Sequence, residues 1–298
     1  MELITGENDK GRRLDRILRK ALPKHPLPFI HRLLRQKKVL INGKPGKAQD
    51  RIDSGVKILI PSLNEISNSS SLKTCQKKPE ILWEGDGLIA VNKPVGLAVH
   101  GPDSLDTMVG SFLAGKLPPS LSFKPGPLHR LDKPSSGIVV FSASISGAHL
   151  FTSLMREHKI IKTYLAIVEG NLEKEEIWQD ELIRDKDIKK TFISKSKTSF
   201  SKTAITKISP LVSQGGCTLI KAVITTGRTH QIRAQAASHG YPLAGDVKYG
   251  GTRKEVSGFF LHAWKLDFLD YSIEAPLNMD SNRFPDCFHK CFSVWKSS

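Results

Sequence analysis

The stretch Pro127-Leu128-His129-Arg130-Leu131-Asp132-Lys133-Pro134-Ser135-Ser136-Gly137-Ile138-Val139-Val140-Phe141-Ser142 sets a compact polar cluster directly before a run of strand-forming residues. β-Branched and aromatic side chains at 138–141 suit a buried, pleated strand, so the cluster sits at a strand mouth. There a carboxylate, a guanidinium, an imidazole and two hydroxyls precede a glycine that permits close backbone approach. Alone, the loop has two readings: a catalytic carboxylate presented at a strand end, or a turn held by an Arg130–Asp132 ion pair.

Outward from this strand the chain keeps the same texture. Apolar runs at 81–83, 88–91, 163–168, 191–194, 203–208, 217–224 and 259–269 read as further strands. Gly85-Asp86-Gly87 reads as the hairpin turn joining the first two, since Asp and Gly tolerate positive φ. Helices are expected around 145–158, with Leu150, Leu154 and Met155 facing inward, and around 229–239. Strands in the majority with a few helices give an α+β class: a mixed, mostly antiparallel sheet with flanking helices, occupying residues 80–298. No internal repeat and no coiled-coil heptad is present.

Residues 10–60 differ. They carry 15 Lys and Arg against three Asp, a net +12, which leaves only +4 for the other 247 residues. Leu14, Ile17, Leu18, Ala21 and Leu22 recur at helical spacing until Pro23 and Pro26 end the run. Phe29, Ile30, Leu33 and Leu34 form a second apolar stripe, followed by Val39-Leu40-Ile41 entering an Asn42-Gly43 turn, and Val56, Ile58 and Ile60 supply a later strand. A small α/β unit with a basic face follows. Concentrated positive charge displaces counterions from phosphates and makes nucleic acid the natural partner. Arg12, Arg13, Arg16, Arg32, Arg35, Lys37 and Lys38 are its candidate contacts. A bare solvated helical hairpin is the competing reading. An anionic membrane surface fits less well, because the exposed aromatic and leucine face of an interfacial helix is missing. Residues 61–79, rich in Ser, Asn, Lys and Pro, read as a linker.

No apolar run approaches the ~20 residues of a transmembrane helix and no signal-peptide layout opens the chain, so a cytoplasmic, monomeric protein is expected. Four cysteines at irregular spacing do not outline a disulfide framework. Cys287, His289 and Cys291 amount at most to half a zinc site, so no metal is expected. The chain has no P-loop, dinucleotide fingerprint, HExxH or nucleophile elbow.

The segment His129-Arg130-Leu131-Asp132, followed after two positions by Ser135-Ser136-Gly137, resembles the nucleophile motif of the RluA family of RNA pseudouridine synthases, with Ser135 where that family usually has Thr. Three further stretches match in the family's order: Ile89–His100 with its Lys93-Pro94-Val95-Gly96 loop, Lys162–Gly170, and Thr226–Arg233. Gly245-Asp246 and Leu261-His262-Ala263 also fall at comparable places. Ala234-Gln235 replaces the family's usual Val-His. The N-terminal segment is similar to the αL RNA-binding domain named after a small-subunit ribosomal protein, although Gly55-Val56 stands where Gly-Asp is usual.

The resemblance implies isomerisation of uridine to pseudouridine in structured RNA without any cofactor. Large-subunit ribosomal RNA is the favoured substrate, with transfer RNA possible. It implies Asp132 as nucleophile, Tyr164 as the active-site tyrosine and Arg233 as the arginine paired with Asp132. His129, Arg130, Arg228 and His230 are expected to contact substrate or organise the pocket. Two other classes stay open at this stage: a non-catalytic RNA-binding or ribosome-assembly protein on the same fold, and a hydrolase, which would need a second positioned carboxylate.

Overall fold

The computed structural model describes residues 1–61, 78–252, 258–277, 292 and 295. Most of the expected linker, with Cys75, and the Cys287-His289-Cys291 cluster lie outside the described residues.

The N-terminal unit runs β1 (Glu2–Ile4), β2 (Arg12–Arg13), α1 (Leu14–Ala21), α2 (Leu27–Arg35), β3 (Leu40–Ile41), β4 (Lys44–Pro45), β5 (Arg51–Ile52) and β6 (Lys57–Leu59). Its four-stranded sheet has the order β1-β6-β3-β4, and β2 pairs with β5. The strand β1, absent from the sequence reading, pairs antiparallel with β6 and extends this unit back to Glu2. At the β3–β4 turn Asn42 and Gly43 both have positive φ, 46° and 84°. The helical stripes bury Leu14, Ile17, Leu18, Ile30, Leu33 and Leu34 in a separate small core closed by Val39, Ile52 and Ile58.

The larger part contains β7 (Glu80–Gly85), β8 (Leu88–Lys93), α3 (Leu105–Leu113), β9 (Gly126–Pro127), β10 (Ser136–Ser142), α4 (Ile145–Arg156), β11 (Ile161–Glu169), β12 (Glu176–Asp185), β13 (Lys190–Ser194), β14 (Lys202–Gln214), β15 (Cys217–Ile224), α5 (Gln231–Ser238), β16 (Leu261–Phe268) and β17 (Tyr271–Glu274). These strands form one sheet of order β13-β12-β14-β15-β11-β16-β10-β8-β7, with β17 added beside β16 and β9 beside β10. Every described pairing is antiparallel except β10 with β16. The class is therefore α+β with a mostly antiparallel sheet. Asp86 and Gly87 make the expected hairpin turn with φ of 50° and 68°.

Alternation along the central strands explains their near-continuous apolar composition, because both faces are covered. Val139 and Phe141 of β10 enter the core that holds α3 and α5, while Ile138 and Val140 enter the core beneath α4. In β11, Tyr164, Ala166 and Val168 face the first of these cores, while Leu165 and Ile167 face another. Two-residue periodicity thus puts Tyr164 on the same side as Leu131 and Ile232.

The two parts touch through a compact polar joint. Asp9, fully buried, accepts the backbone N–H of Gly6, Leu121 and Ser122 and the hydroxyls of Ser120 and Ser122. Arg12 donates to Ser122 O at 3.1 Å, and Asn8 Oδ1 accepts Ile145 N–H at 3.0 Å at the start of α4.

Candidate active site

The loop before β10 is seated from three directions. Ser135 N–H donates to Asp132 O at 3.0 Å, closing a tight turn. Lys93, fully buried, donates from Nζ to Pro94 O, Leu97 O and Lys133 O, and Gly96 N–H also reaches Lys133 O at 2.9 Å. The Lys93-Pro94-Val95-Gly96 loop is therefore a buttress under the carboxylate loop. From the far side, Ser136 Oγ bonds His262 Nδ1 at 2.8 Å, and His262 Nε2 faces Ala275 O at 3.4 Å. Gly137, with φ of 103°, lies so close to β16 that a Cβ would fall 2.2 Å from Ala263 O. Only glycine fits this crossing.

Asp132 projects into a cavity lined by Arg130, Leu131, Asp132, Ser135, Tyr164, Ile224, Arg228, His230, Gln231, Ile232, Arg233 and Leu261. Its Oδ2 accepts Arg233 Nη1 at 2.6 Å, and its Oδ1 lies 3.5 Å from His230 Nε2. Arg130 is exposed on the pocket rim, so the carboxylate is held by distant chain rather than by its loop neighbour.

Arg233, in the first turn of α5, is shared between two carboxylates. Its Nε and Nη2 grip Asp246 at 2.7 and 2.8 Å while Nη1 takes Asp132. Its guanidinium is stacked by Phe259 at 4.3 Å and Tyr249 at 4.9 Å. Burial opposes its charge, yet the hydrogen bonds and charges of Asp246 and Asp132 prevail and raise its pKa. Bidentate grip plus stacking fixes the one nitrogen that points at Asp132.

His230 adopts a left-handed backbone, φ 55°, just ahead of α5. Tyr249 Oη accepts Thr191 N–H and so presents its own proton to His230 Nδ1 at 2.8 Å, and Arg184 Nη1 approaches the same nitrogen at 3.3 Å. With donors at Nδ1, the neutral ring carries its proton on Nε2, facing Asp132. Burial pulls the His230 pKa down to about 4, against the pull of Asp132 in the other direction. Tyr164 has a raised pKa, from burial first and then from Asp132, and keeps its phenolic proton. Ser135 Oγ, buried in the pocket wall, has no hydrogen-bond partner among the described residues.

Of the residues singled out in the sequence, Asp132, Tyr164, Arg233, Arg130, Arg228 and His230 converge on this cavity. His129 does not line it. Its Nε2 accepts Val140 N–H at 3.0 Å, its ring stacks on Phe151, and burial with Lys162 nearby lowers its pKa to about 3. It is a neutral strap under β10. Arg12, Arg13 and Arg16 line a separate broad groove with Lys20, Arg51, Lys124 and His149. Arg13 is tied to Asp15 at 2.7 Å, and Arg32, Arg35, Lys37 and Lys38 are exposed on or just after α2. Asp246, Tyr249 and Phe259, which seat Arg233, are not among the site residues singled out in the sequence. Gly245-Asp246 was the one legible trace of them.

Comparison with known proteins supplies independent findings. The sequence model of a family described as RNA pseudouridylate synthase matches residues 87–238. The chain is 30% identical over 296 residues to Ribosomal large subunit pseudouridine synthase C of Haemophilus influenzae, covering 95% of this chain and 89% of that protein. It is 31% identical to Ribosomal large subunit pseudouridine synthase D of Nitrosomonas europaea, covering 90% and 80% respectively. Human RNA Pseudouridylate Synthase Domain Containing 4 shares the fold, with a TM-score of 0.55 and 22% identity over 73% of this chain and 93% of that one.

Proposed function

The chain belongs to the RNA pseudouridylate synthase family and is an RNA pseudouridine synthase; we propose that it acts on large-subunit ribosomal RNA with Asp132 as the nucleophile. One observation carries the assignment of Asp132: an accessible carboxylate at the mouth of a cavity, fixed by a clamped arginine on one oxygen and a neutral imidazole N–H near the other. The target RNA rests on the names of the relatives, which include both C and D synthases.

The reaction breaks the bond from uracil N1 to the ribose and makes one from C5 to the same carbon. The proton displaced from C5 is balanced by one gained at N1, so nothing is consumed. Asp132 supplies the carboxylate, and Arg233 pairs with it and aims it. The ring of Tyr164 packs against the turning base, with its hydroxyl protonated. Ser135 Oγ is an available donor or acceptor for the base edge. A paired or stacked uridine must be flipped out to reach this cavity, and Arg130 and Arg228 at its rim suit the neighbouring phosphates.

Residues 10–60 act as an αL-type RNA-binding domain and 80–298 as the catalytic domain, in one cytoplasmic monomer. The hydrolase alternative loses ground because Asp246, the second carboxylate near the site, has both oxygens held by Arg233. Among the described residues no helix is long and apolar enough to cross a membrane.

The direct test is to incubate unmodified large-subunit ribosomal RNA transcript with the purified chain and map pseudouridines at nucleotide resolution. Conversion at one or a few uridines without release of free uracil is expected. Free uracil would indicate a hydrolase, and conversion only in transfer RNA would move the target.

A further inference from the structure

Beside the catalytic cavity lies a second recess, lined by Leu182, Arg184, Thr191, Phe200, Lys202, Gly227, Arg228 and Thr229. Arg228 is a wall common to both hollows, and Arg184, which reaches His230 in one, forms part of the other. The Nε of Arg228 donates to Thr203 O at 3.2 Å, fixing the guanidinium between them. The register of the outer strands sets Leu182 opposite Lys202 and Arg184 opposite Thr191, so apolar floor and cations share one face of β12.

Phe200 stands over this recess with 83% of its surface exposed. A phenyl ring left in water has no part in the fold, yet its backbone is firmly held. Thr198 N–H donates to Ser201 Oγ at 2.9 Å, while Thr198 Oγ1 accepts the N–H groups of Phe200 and Ser201 at 3.3 and 3.1 Å. Ser201 and Thr203 in turn donate their hydroxyls to Glu181 of β12. Those bonds, together with Lys197 and Arg228 nearby, lower the Glu181 pKa, so the acid is occupied rather than facing a polyanion. The ring is thus displayed on a pinned turn, flanked in sequence by Lys195, Lys197 and Lys202. An exposed aromatic among fixed cations, one of which borders a nucleotide pocket, matches the chemistry of base stacking with phosphate neutralisation.

We propose that Phe200, with Arg184, Lys202 and Arg228, forms a second nucleobase subsite that stacks a base neighbouring the target uridine while the cations hold its phosphates. The proposal rests on the reading of the chain as an RNA-modifying enzyme, and it adds a determinant outside the catalytic cavity. Stacking is tolerant of base identity, so this subsite selects unpaired over paired RNA next to the target rather than a particular letter.

The test uses the full chain and two probes, an eight-nucleotide oligouridylate and an octamer of the same sugar–phosphate backbone lacking bases. Wild type should prefer the first. Phe200→Ala should reduce that preference by about 5- to 100-fold, the factor corresponding to loss of one stacked base, and leave the salt slope of binding unchanged because no charge is removed. Phe200→Trp should preserve the preference. A Phe200→Ala protein whose preference stays within about twofold of wild type would overturn the proposal, since stacking losses exceed that, as would a Trp variant that loses as much as the Ala one. Because turnover is not measured, an error in the target RNA leaves this result intact, whereas a wrong subsite shows here alone.

Discussion

Two aspartates anchor two regions of this molecule, and their surroundings are opposites. Asp9, at the joint between the N-terminal unit and the sheet, is surrounded by neutral donors: three backbone N–H groups and two serine hydroxyls on its two oxygens. Burial would raise its pKa, and those hydrogen bonds, Ser122 first, lower it instead. No surface is left for anything else. Asp132 keeps 19% of its side chain exposed, is faced by Arg233 and His230, and opens on a cavity. A carboxylate saturated by neutral donors is a rivet; one oriented by a cation with access to solvent is left open to a ligand. The difference lies in which partners are charged and in how much of the oxygen surface they cover.

Exchanging one oxygen for an amide at each position separates the two roles. Asp132→Asn should lower pseudouridine formation by roughly 10⁶-fold, the scale of loss when a covalent nucleophile is removed, while RNA binding, dominated by phosphate contacts, changes little. Detectable activity in the Asn variant, after excluding deamidation by mass spectrometry, would erase the contrast. Asp246→Asn probes what aims Arg233 at Asp132. Breaking one side of a buried pair costs about 3–5 kcal/mol, so urea unfolding should shift accordingly, and turnover should drop on the order of 100-fold as Arg233 loses its seat. Unaltered turnover would mean that Asp132 alone fixes the arginine.

Asp9→Asn should do the reverse of Asp132→Asn. Several of its five donors lose a charged acceptor, which costs about 3 kcal/mol, measurable as an earlier urea transition of the N-terminal unit with kcat unchanged at saturating RNA. A loss of kcat with normal stability would make the joint part of the active site. The smallest effect concerns pH. His129, His230 and His262 titrate near 3, 4 and 4 in the folded chain, each lowered mainly by burial. Unfolded histidine titrates near 6.5, so the unfolded chain binds more protons between these values. Stability from these groups is complete above about pH 6.5 and is lost as pH falls toward 4. The thermal midpoint should decline over that window, and a flat profile from pH 7 to 4.5 would contradict the neutral state of the three rings.

Much of this organisation is visible in the residues themselves. The helical stripes at 14–22 and 29–34 face the small core, and the Asn42-Gly43 and Asp86-Gly87 turns take the left-handed conformations their side chains permit. Helix α3, Leu105–Leu113, escaped notice: its interior Gly110 and short length weaken the periodic signal, although Ser104 caps it by accepting Thr107 N–H. The strand Glu176–Asp185 was equally hidden, because Glu176, Gln179, Asp180 and Glu181 break up its apolar residues. Within the site, Asp132, Tyr164 and Arg233 were legible as motifs. His129 does not line the cavity, because proximity in sequence says nothing about which face of a loop a ring takes.

What the sequence determined by itself is local and periodic: which segments are helix or strand, which face of β11 carries Tyr164, where charge concentrates, and which motif holds the pocket carboxylate. Tertiary structure alone decided the partnerships. Arg233 reaches Asp132 across a separation of 101 residues and Asp246 across 13, and Asp9 meets Ser122 across 113. Such pairings depend on the order of strands in the sheet and on the crossing at Gly137. No local pattern encodes them, because the energy of a contact resides in both partners together and in the burial they share.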